Sequence, residues 1–141
     1  MTRAGSPVRS GSLVVAAALY DDRGRILIAQ RPAGKHMAGR WEFPGGKVSA
    51  GESEERALAR ELHEELGIEV IAARPFMRLA HAYADREVEL SLWLVERYAG
   101  EPRPLDGQQL RWVAPAHLPG EDILEADRPF IAALRDLPRP R

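Results

Sequence analysis

The stretch from Gly46 to Ile68, GKVSAGESEERALARELHEELGI, carries most of the information about this chain. It predicts a glycine-containing loop followed by a helix over residues 53–66. Ser53 is a good helix N-cap, and Gly67 suits the left-handed conformation in which helices often end. Within this helix, three leucines recur every four residues and form an apolar stripe: Leu58, Leu62 and Leu66. The pattern therefore predicts an amphipathic helix packed on a core.

Three glutamates lie beside the leucine stripe. Glu61, Glu64 and Glu65 occupy positions i, i+3 and i+4, which fall on one helix face, and Glu52 in the preceding loop can fold back towards them. Two carboxylates about 4 Å apart repel by on the order of 4 kcal/mol at an effective dielectric near 20. A divalent cation relieves this repulsion, and a set of oxygen ligands suits Mg²⁺, with Mn²⁺ as the other candidate. The alternative is a solvated acidic face, since exposed pairs at this spacing cost only about 0.2–0.5 kcal/mol each.

The residues around the glutamates favour the metal site. Arg60 points to another side of the predicted helix, where it can bind Glu52 or backbone carbonyls and fix the loop. Gly45, Gly46 and Gly51 permit a tight turn and allow carbonyl oxygens to approach a metal.

The complete spacing resembles the Nudix box, Gx5Ex7REUxEExGU, in which U is apolar. In this chain it begins at Gly46 and ends at Ile68, and every specified position matches. The flanking segments resemble the MutT-type branch of the Nudix hydrolases, and they are Arg31-Pro32, His36-Met37-Ala38, Glu42 to Lys47, Leu92 to Arg97 and Gly100-Glu101-Pro102. The resemblance covers residues 12–136.

The resemblance implies an α/β (α+β) fold in which a mixed β-sheet is sandwiched between α-helices. Nudix members hydrolyse a nucleoside diphosphate linked to another moiety, and MutT-like members convert nucleoside triphosphates to monophosphate and pyrophosphate by attack of water at the β-phosphorus. Carried over to this chain, the expected Mg²⁺ ligands are Glu61, Glu64, Glu65 and the carbonyl oxygen of Gly45. Glu52 and Arg60 would support the geometry of loop and helix.

The position of the general base is held by a shorter side chain than in MutT-like relatives. Those relatives carry a loop Glu that contributes to metal binding or proton removal, and alignment on Trp112 places Asp106 there. An aspartate favours a water-bridged role over direct ligation, and an ordinary Asp-Gly turn with Gly107 is the alternative. Glu61 and Glu64 remain candidates for the same role.

The resemblance also predicts a substrate site. Arg31 and Lys47 are the candidate phosphate-binding cations, and His36 is a candidate contact to the phosphates or ribose, although all three also suit an ordinary surface. The candidate base pocket comprises Val14, Phe43, Asp85, Arg86, Val88 and Asp127. Two of these, Phe43 and Val88, are equally suited to a plain apolar core.

Asp127 departs from the pattern of the 8-oxo-guanine-specific relatives, which carry Asn at the corresponding place. An amide donates and accepts a hydrogen bond, whereas an ionised carboxylate only accepts. Asp127 is therefore expected to prefer a base edge that presents donors, as cytosine does, unless the carboxyl is protonated. Asp127 also suits the N-cap of a last helix over 127–134, with Pro129 in its first turn.

Outside the box, apolar runs and alternation predict strands over residues 13–20, 25–30, 41–43, 86–98 and 110–113. In the fourth of these, apolar side chains alternate with Glu87, Glu89, Ser91 and Trp93, which predicts a half-buried strand. The run 13–20, LVVAAALY, also resembles the apolar part of a signal peptide, but we favour a buried strand and a cytoplasmic protein. The expected organisation is a flexible arm over 1–12, one domain over 13–136 and a flexible tail over 137–141.

Length and composition are those of one ordinary globular domain. The chain has 141 residues, 45% of them apolar and 29% charged, which argues against a membrane protein and a disordered chain. The net charge of −1 gives no basic field for a nucleic acid polymer, and the lack of cysteine excludes thiolate chemistry.

The expected function is therefore a Mg²⁺-dependent nucleoside triphosphate pyrophosphohydrolase that sanitises the nucleotide pool, with 8-oxo-dGTP as its first candidate substrate. A pyrophosphohydrolase for CTP or modified pyrimidine triphosphates is the alternative that Asp127 favours. A non-catalytic nucleotide-sensing Nudix module is disfavoured because such modules usually lose box carboxylates. We expect a monomer or homodimer with no membrane partner.

Overall fold

A computed structural model describes residues 12–137, which form seven strands, two α-helices and two short 3-10 segments within that range. The strands are β1 (Ser12–Leu19), β2 (Ile26–Gln30), β3 (Trp41–Glu42), β4 (Gly45–Lys47), β5 (Glu69–Ala82), β6 (Glu87–Ala99) and β7 (Leu110–Val113). The helices are α1 (Glu54–Leu66) and α2 (Arg128–Arg135), and the 3-10 segments are Pro115–Gly120 and Glu125–Asp127. The expected arm and tail lie outside the described residues, except Ser12, which begins β1, and Leu137.

The strands form two sheets. The larger has the order β4-β1-β6-β5, in which β1 and β6 run parallel and the outer pairs are antiparallel. The smaller has the antiparallel order β3-β2-β7. Mixed sheets covered by helices confirm the α+β sandwich that the sequence predicts.

Strand β1 contributes to both halves of the core. Its odd-numbered residues, Val15, Ala17 and Leu19, pack with the leucine stripe of α1. Its even-numbered residues, Ala16 and Ala18, pack with α2 and the 3-10 segments. A strand buried on both faces has no polar alternation, which explains the continuous apolar run and confirms the strand prediction there.

The prediction of a half-buried β6 is wrong for its middle. Leu90, Leu92 and Leu94 enter the core on the α2 side, as the alternation predicts. Ser91 and Trp93, however, are also buried, at 4% and 9% exposure. They lie beneath α1, so a serine that reads as a solvent-facing residue is instead covered by a helix.

Two strands, β4 and β5, were not predicted from the sequence. β5 is a 14-residue edge strand, and its pairing with β6 shifts register at three places, which breaks the two-residue period. β4 is a glycine-rich segment that the sequence predicts as a turn. A Cβ at Gly45 would collide with the carbonyl oxygen of Val15, so the close pairing of β4 with β1 requires glycine there.

Helix α1 has the predicted caps and the predicted buried stripe. The Ser53 side chain accepts a hydrogen bond from the Arg56 N–H, and Gly67 ends the helix in the left-handed conformation. Leu58, Leu62 and Leu66 are fully buried. Burial of each leucine contributes about 1.5–3 kcal/mol relative to exposure, so the stripe fixes α1 on the larger sheet.

Helix α2 begins close to the predicted residue, with Pro129 in its first turn. The Asp127 side chain makes no capping hydrogen bond to this helix and turns away from it, so that part of the cap prediction is wrong. No helix within residues 12–137 combines the length and the apolar character that a bilayer crossing needs.

Candidate active site

A cavity of about 600 Å³ opens on the surface where β1, β3, β4, the end of α1 and the start of α2 meet. Most of the predicted site residues line it: Val14, Arg31, His36, Phe43, Gly45, Lys47, Glu65, Arg86, Val88, Asp106 and Asp127. Residues from positions 14 to 127 thus meet at one place, although they were predicted from separate segments.

Five predicted residues do not line this cavity within the described chain: Glu52, Arg60, Glu61, Glu64 and Asp85. Four of them belong to the box and lie behind or beside the cavity wall. Asp85 is exposed in the turn between β5 and β6 and does not line the cavity, so its place in a base pocket stays a prediction. The short turn directs its neighbour Arg86 to the cavity instead.

Two box glutamates come together at one end of the cavity. The carboxylate of Glu61 lies directly over the backbone of Gly46, where a Cβ would collide with it. Glu65 follows one helical turn later and shares a hydrogen bond with Glu61. The absence of a side chain at Gly46 therefore makes the space in which this pair meets.

The raised pKa of Glu65 shows how crowded these two carboxyls are. Burial raises the pKa of Glu65 far above its usual range, and the hydrogen bond and charge of Glu61 raise it further. The charges of Glu42 and Asp106 act in the same direction. The raised pKa means that a proton on Glu65 relieves the repulsion between the two carboxyls. A divalent cation would relieve it in the same way, and these oxygen donors fit a hard one.

The third box glutamate does not join the pair. Glu64 has a side chain 58% exposed, and it lies 3.4 Å from the Arg60 guanidinium. Across residues 12–137, no three acidic or histidine side chains gather closely enough to form a metal-binding group on their own. The predicted convergence of three carboxylates is therefore seen for two of them.

Arg60 ties the box loop to the helix, as the sequence predicts. Its guanidinium donates to both carboxylate oxygens of Glu52, at 2.7 and 2.9 Å, and to the carbonyl oxygen of Lys47 at 3.1 Å. These bonds from Arg60 lower the pKa of Glu52 to about 2. Arg60 also donates to Glu61 at 3.1 Å, a contact that the expected orientation of its side chain did not include.

The loop that carries Asp106 is held against the end of α1. The amide of Gln108 donates to the carbonyl oxygen of Glu65 at 3.4 Å, and its oxygen accepts from the Asp106 N–H at 3.0 Å. The N–H of Gly107 closes the predicted turn by donating to the carbonyl oxygen of Pro104 at 3.0 Å. Asp106 is thus both a turn residue and a cavity residue, on the side of Glu65.

Asp127 marks the opposite end of the cavity. It is 5% exposed, and its carboxylate accepts a hydrogen bond from the Phe43 N–H at 3.0 Å. Burial raises its pKa to about 7, and the charge of Glu42 adds to this, whereas the Phe43 bond and Arg31 act against it. Near neutral pH the carboxyl therefore exists in both its neutral and its ionised form.

Arg31 and its partners form the wall between the two ends. The guanidinium donates to the Glu42 carboxylate at 2.8 Å and to the carbonyl oxygen of His36 at 2.7 Å. Burial raises the pKa of Glu42, and the Arg31 charge lowers it. Arg31 is thus partly neutralised, while the neighbouring Lys35 lines the cavity and makes no ion pair with any described residue.

Several cavity residues were missed by the sequence analysis: Lys35, Glu42, Tyr83 and Gln108. Glu42 had a usable signal, because a carboxylate between the apolar Trp41 and Phe43 is out of place in a buried strand. Tyr83 had none, since its role comes from the pairing of β5 with β6. The His36 ring meets the Tyr83 ring edge-on, with 5.9 Å between their centroids, and the Arg86 guanidinium lies 5.3 Å from the centroid of the Tyr83 ring.

The chain is similar in sequence to a known domain family and to characterised hydrolases. The NUDIX domain family matches residues 15–133. The chain is 40% identical to an 8-oxo-dGTP diphosphatase of Escherichia coli over 84% of this chain and 92% of that protein. It is 38% identical to a CTP pyrophosphohydrolase of Escherichia coli over 87% of this chain and 91% of that protein.

A solved MutT structure from a comparison of the Aliivibrio salmonicida and Vibrio cholerae proteins has a TM-score of 0.78 and 36% identity to this chain. The match covers 89% of this chain and 98% of that one. The match of the family to most of the chain, the high coverage of both relatives and the shared fold agree with the complete box. The chain belongs to the Nudix family and is a MutT-like hydrolase.

Proposed function

We propose that this hydrolase is a Mg²⁺-dependent nucleoside triphosphate pyrophosphohydrolase that converts 8-oxo-dGTP to its monophosphate and pyrophosphate. The observation that carries the proposal is a single cavity that Glu65, crowded by the adjoining Glu61 carboxyl, lines at one end and the buried Asp127 carboxyl lines at the other. The end at Glu65 suits a metal-bound phosphate chain, and the end at Asp127 suits the nucleobase. The Escherichia coli relative bears the name of the same activity.

Four groups are proposed to hold the cation: the carboxylates of Glu61, Glu64 and Glu65 and the carbonyl oxygen of Gly45. Glu61 and Glu65 are already together, and Glu64 needs only to exchange its contact with Arg60 for the ion. When bound, Mg²⁺ neutralises the phosphate charge and lowers the pKa of a bound water. Glu52 and Arg60 are proposed to keep the loop and the helix in register for this binding.

The attacking water needs a proton acceptor within hydrogen-bond reach. Asp106 is our first candidate, because it lines the cavity on the side of Glu65 and its loop is fixed by Gln108. Its short side chain suits a water-bridged transfer. Glu61 and Glu64 are the other candidates for this role.

The phosphates are proposed to lie along the cations of the cavity wall. Arg31 and Lys47 were the predicted contacts, and both line the cavity, as does His36. Arg31 uses two of its five N–H donors on Glu42 and the His36 carbonyl, so three remain for phosphate oxygens, although the Glu42 carboxylate offsets its charge. Lys47 makes no ion pair within residues 12–137 and carries the more open charge. His36 is held by its contact with Tyr83.

The base is proposed to enter the end formed by Val14, Phe43, Arg86, Val88 and Asp127. Phe43 and Val88 belong to the core and also line the cavity, so a contact with the base is compatible with their place in the core. A neutral Asp127 both donates and accepts, as the amide of the Asn in 8-oxo-guanine-specific relatives does. Its pKa of about 7 removes the objection that an aspartate here only accepts.

A pyrophosphohydrolase for CTP or modified pyrimidine triphosphates is the second candidate. The ionised form of Asp127 accepts a hydrogen bond from a base amino group, and a relative at 38% identity is named a CTP pyrophosphohydrolase. The same cavity and metal site serve both candidates. A non-catalytic nucleotide sensor is disfavoured, since all box carboxylates are retained.

A nucleotide panel tests the proposal. Purified chain is incubated with Mg²⁺ and each of 8-oxo-dGTP, dGTP, CTP, dCTP and 5-hydroxy-dCTP, and kcat/KM is measured from pyrophosphate release. We expect 8-oxo-dGTP to rank first. A preference for a cytidine nucleotide by about tenfold or more, equivalent to about 1.4 kcal/mol in transition-state binding, would instead establish the second candidate.

A further inference from the structure

Helix α1 is held at its first residue by a polar network outside the box. The carboxylate of Glu54 accepts hydrogen bonds from the Ser91 hydroxyl at 2.6 Å and from the Trp93 indole N–H at 3.2 Å. The indole N–H also lies 3.2 Å from the Ser91 hydroxyl. Arg78 forms an ion pair with the second carboxylate oxygen of Glu54 and bonds Glu89 at 2.9 Å. The network joins α1 to β6 through the covered groups Ser91 and Trp93, and to β5 through the half-exposed Arg78.

Burial separates this network from an ordinary surface contact. Ser91 and Trp93 are 4% and 9% exposed, and the Glu54 side chain is 20% exposed. A buried hydroxyl needs an acceptor, and removing the Glu54 carboxylate leaves the Ser91 hydroxyl without the one it uses, while the Trp93 indole N–H keeps only the Ser91 oxygen. Although burial acts against it, the bonds from Ser91 and Trp93 and the Arg78 charge hold the pKa of Glu54 below its usual value.

Glu54 lies on the helix face that carries the carboxyl pair. At about 100° per residue, the seven residues from Glu54 to Glu61 and the eleven from Glu54 to Glu65 each return to within about 20° of the same direction. A rotation of α1 that loosens Glu54 from β6 therefore turns Glu61 and Glu65 by the same angle, away from Gly46. Arg60 resists this rotation only in the middle of the helix.

We infer that Glu54 is a positioning residue for the proposed metal site: its anchor to Ser91 and Trp93 sets the rotation of α1 and with it the approach of Glu61 and Glu65 to each other. This inference rests on the proposed function. It assigns a role to a position that the Nudix box leaves unspecified. The role depends on the packing of α1 over β6. At that place Ser91 is the cross-strand neighbour of Val15 in β1 and of Arg78 in β5.

The test compares three variants of the full chain, with Mn²⁺ binding followed by the loss of its free electron paramagnetic resonance signal. Partners outside the ligand shell change metal affinity by about 10–100-fold, so we expect Glu54→Ala to weaken Mn²⁺ binding about tenfold and to lower kcat with Mg²⁺ by a similar factor. KM for 8-oxo-dGTP should stay within about twofold, because the base and phosphate contacts are unchanged. Glu54→Gln keeps an acceptor oxygen and should recover affinity to within about threefold of wild type.

Glu55→Ala is the matched control. Glu55 lies in the same first helical turn and has the same favourable interaction with the helix dipole, but it is exposed. It should match wild type in Mn²⁺ affinity and kcat. If Glu54→Ala does not fold, Ser91→Ala removes the shortest bond and should weaken Mn²⁺ binding in the same direction.

Two results would overturn the inference, and they are distinguishable. If Glu54→Ala lowers the melting temperature but binds Mn²⁺ and turns over like wild type, Glu54 only stabilises the fold. If wild type itself neither binds Mn²⁺ nor hydrolyses nucleotides, the proposed function fails and the inference fails with it. Weaker Mn²⁺ binding by Glu54→Ala, with recovery in Glu54→Gln, supports the positioning role.

Discussion

The two ends of the cavity each contain a carboxyl group with a raised pKa, the half-buried Glu65 and the buried Asp127, but for different physical reasons. At the end formed by Glu61, Glu65 and Gly46, hereafter the metal end, a second carboxyl and two further negative charges add to the effect of burial. At the end formed by Phe43 and Asp127, hereafter the base end, burial dominates and a backbone N–H acts against it. The metal end therefore attracts a cation, whereas the base end holds a single carboxyl that titrates near neutral pH.

This difference teaches that a raised carboxyl pKa does not by itself identify a role. Crowded carboxylates are relieved by a divalent ion, which replaces the proton and leaves the oxygens as ligands. A lone buried carboxyl has no such use for an ion, and its alternation between donor and acceptor suits recognition of a base edge. The neighbours of each group, rather than its burial, are what distinguish the role proposed for Glu65 from the role proposed for Asp127.

The largest expected effect comes from removing one charge at the metal end. Glu65→Gln keeps the size of the side chain and removes a proposed ligand, so we expect kcat to fall by at least about 10²-fold, as for loss of a major electrostatic contributor. The measurement is kcat with saturating Mg²⁺ and 8-oxo-dGTP. Glu55→Gln, an exposed change on the same helix, should turn over like wild type. Unchanged turnover in Glu65→Gln would remove the metal end from the mechanism.

The metal end is also the part of the site that sequence predicted best. Its residues lie within the 23 positions from Gly46 to Ile68, so fixed spacing on one helix determines which side chains are neighbours. The caps, the leucine stripe and the Arg60–Glu52 pair all follow from that local geometry. What spacing could not supply is the side-chain conformations of Arg60 and Glu64, which lie 3.4 Å apart at the surface, with Glu64 outside the pair.

The base end was predicted only through resemblance, and its chemistry came from the structure. Phe43 and Asp127 are 84 residues apart, and no local pattern indicates that the backbone of one meets the side chain of the other. Tyr83 depends on β5, whose register shifts erase the period that identifies strands. Sequence therefore gave the position of Asp127, while its burial and its pKa required tertiary structure.

The second expected effect sharpens the assignment of the base end. Asp127 is ionised increasingly above its pKa of about 7, and the ionised form cannot donate to the base. We therefore expect the ratio of kcat/KM for 8-oxo-dGTP to that for CTP to fall as pH rises from 6 to 8.5, by about tenfold for the loss of one hydrogen bond. Asp127→Asn should abolish this pH dependence, because the amide does not titrate. A ratio that changes with pH equally in both proteins would assign the titration to another group.

The same titration has a consequence for stability that needs no substrate. The folded state binds the Asp127 proton more tightly than the unfolded chain, where the pKa is near 3.8. Wild type therefore loses stability as pH rises from about 4 to about 7, by an amount that linkage sets, whereas Asp127→Asn does not. Urea unfolding at pH 5 and pH 8 measures the difference, and a parallel pH dependence in both proteins would contradict the raised pKa.

A third, smaller effect concerns the box loop, where the Glu52–Arg60 pair makes stability depend on pH in the acid range. The bonds from Arg60 lower the pKa of Glu52 from 4.5 to about 2, so this pair stabilises the fold fully above the unfolded value and is lost as pH falls towards 2. Glu52→Gln should therefore show a shallower fall of melting temperature between pH 5 and pH 2.5 than wild type. Its sign is opposite to that at Asp127, whose contribution is lost as pH rises. Equal acid sensitivity of Glu52→Gln and wild type would mean that Arg60 gives this loop no pH-dependent support.

The smallest effect tests the turn that delivers a residue to the base end. Arg86 lines the cavity and lies over the Tyr83 ring, whereas Asp85, the residue before it, is exposed and outside the lining. A cation over an aromatic ring contributes about 0.5–1 kcal/mol at an exposed site, so Arg86→Met should raise KM for 8-oxo-dGTP by about two- to fivefold. Asp85→Asn changes a charge of the opposite sign one residue away and should leave KM unchanged. If the two substitutions shift KM equally, the turn rearranges when the nucleotide binds, and Asp85 belongs to the base pocket, as the sequence predicts.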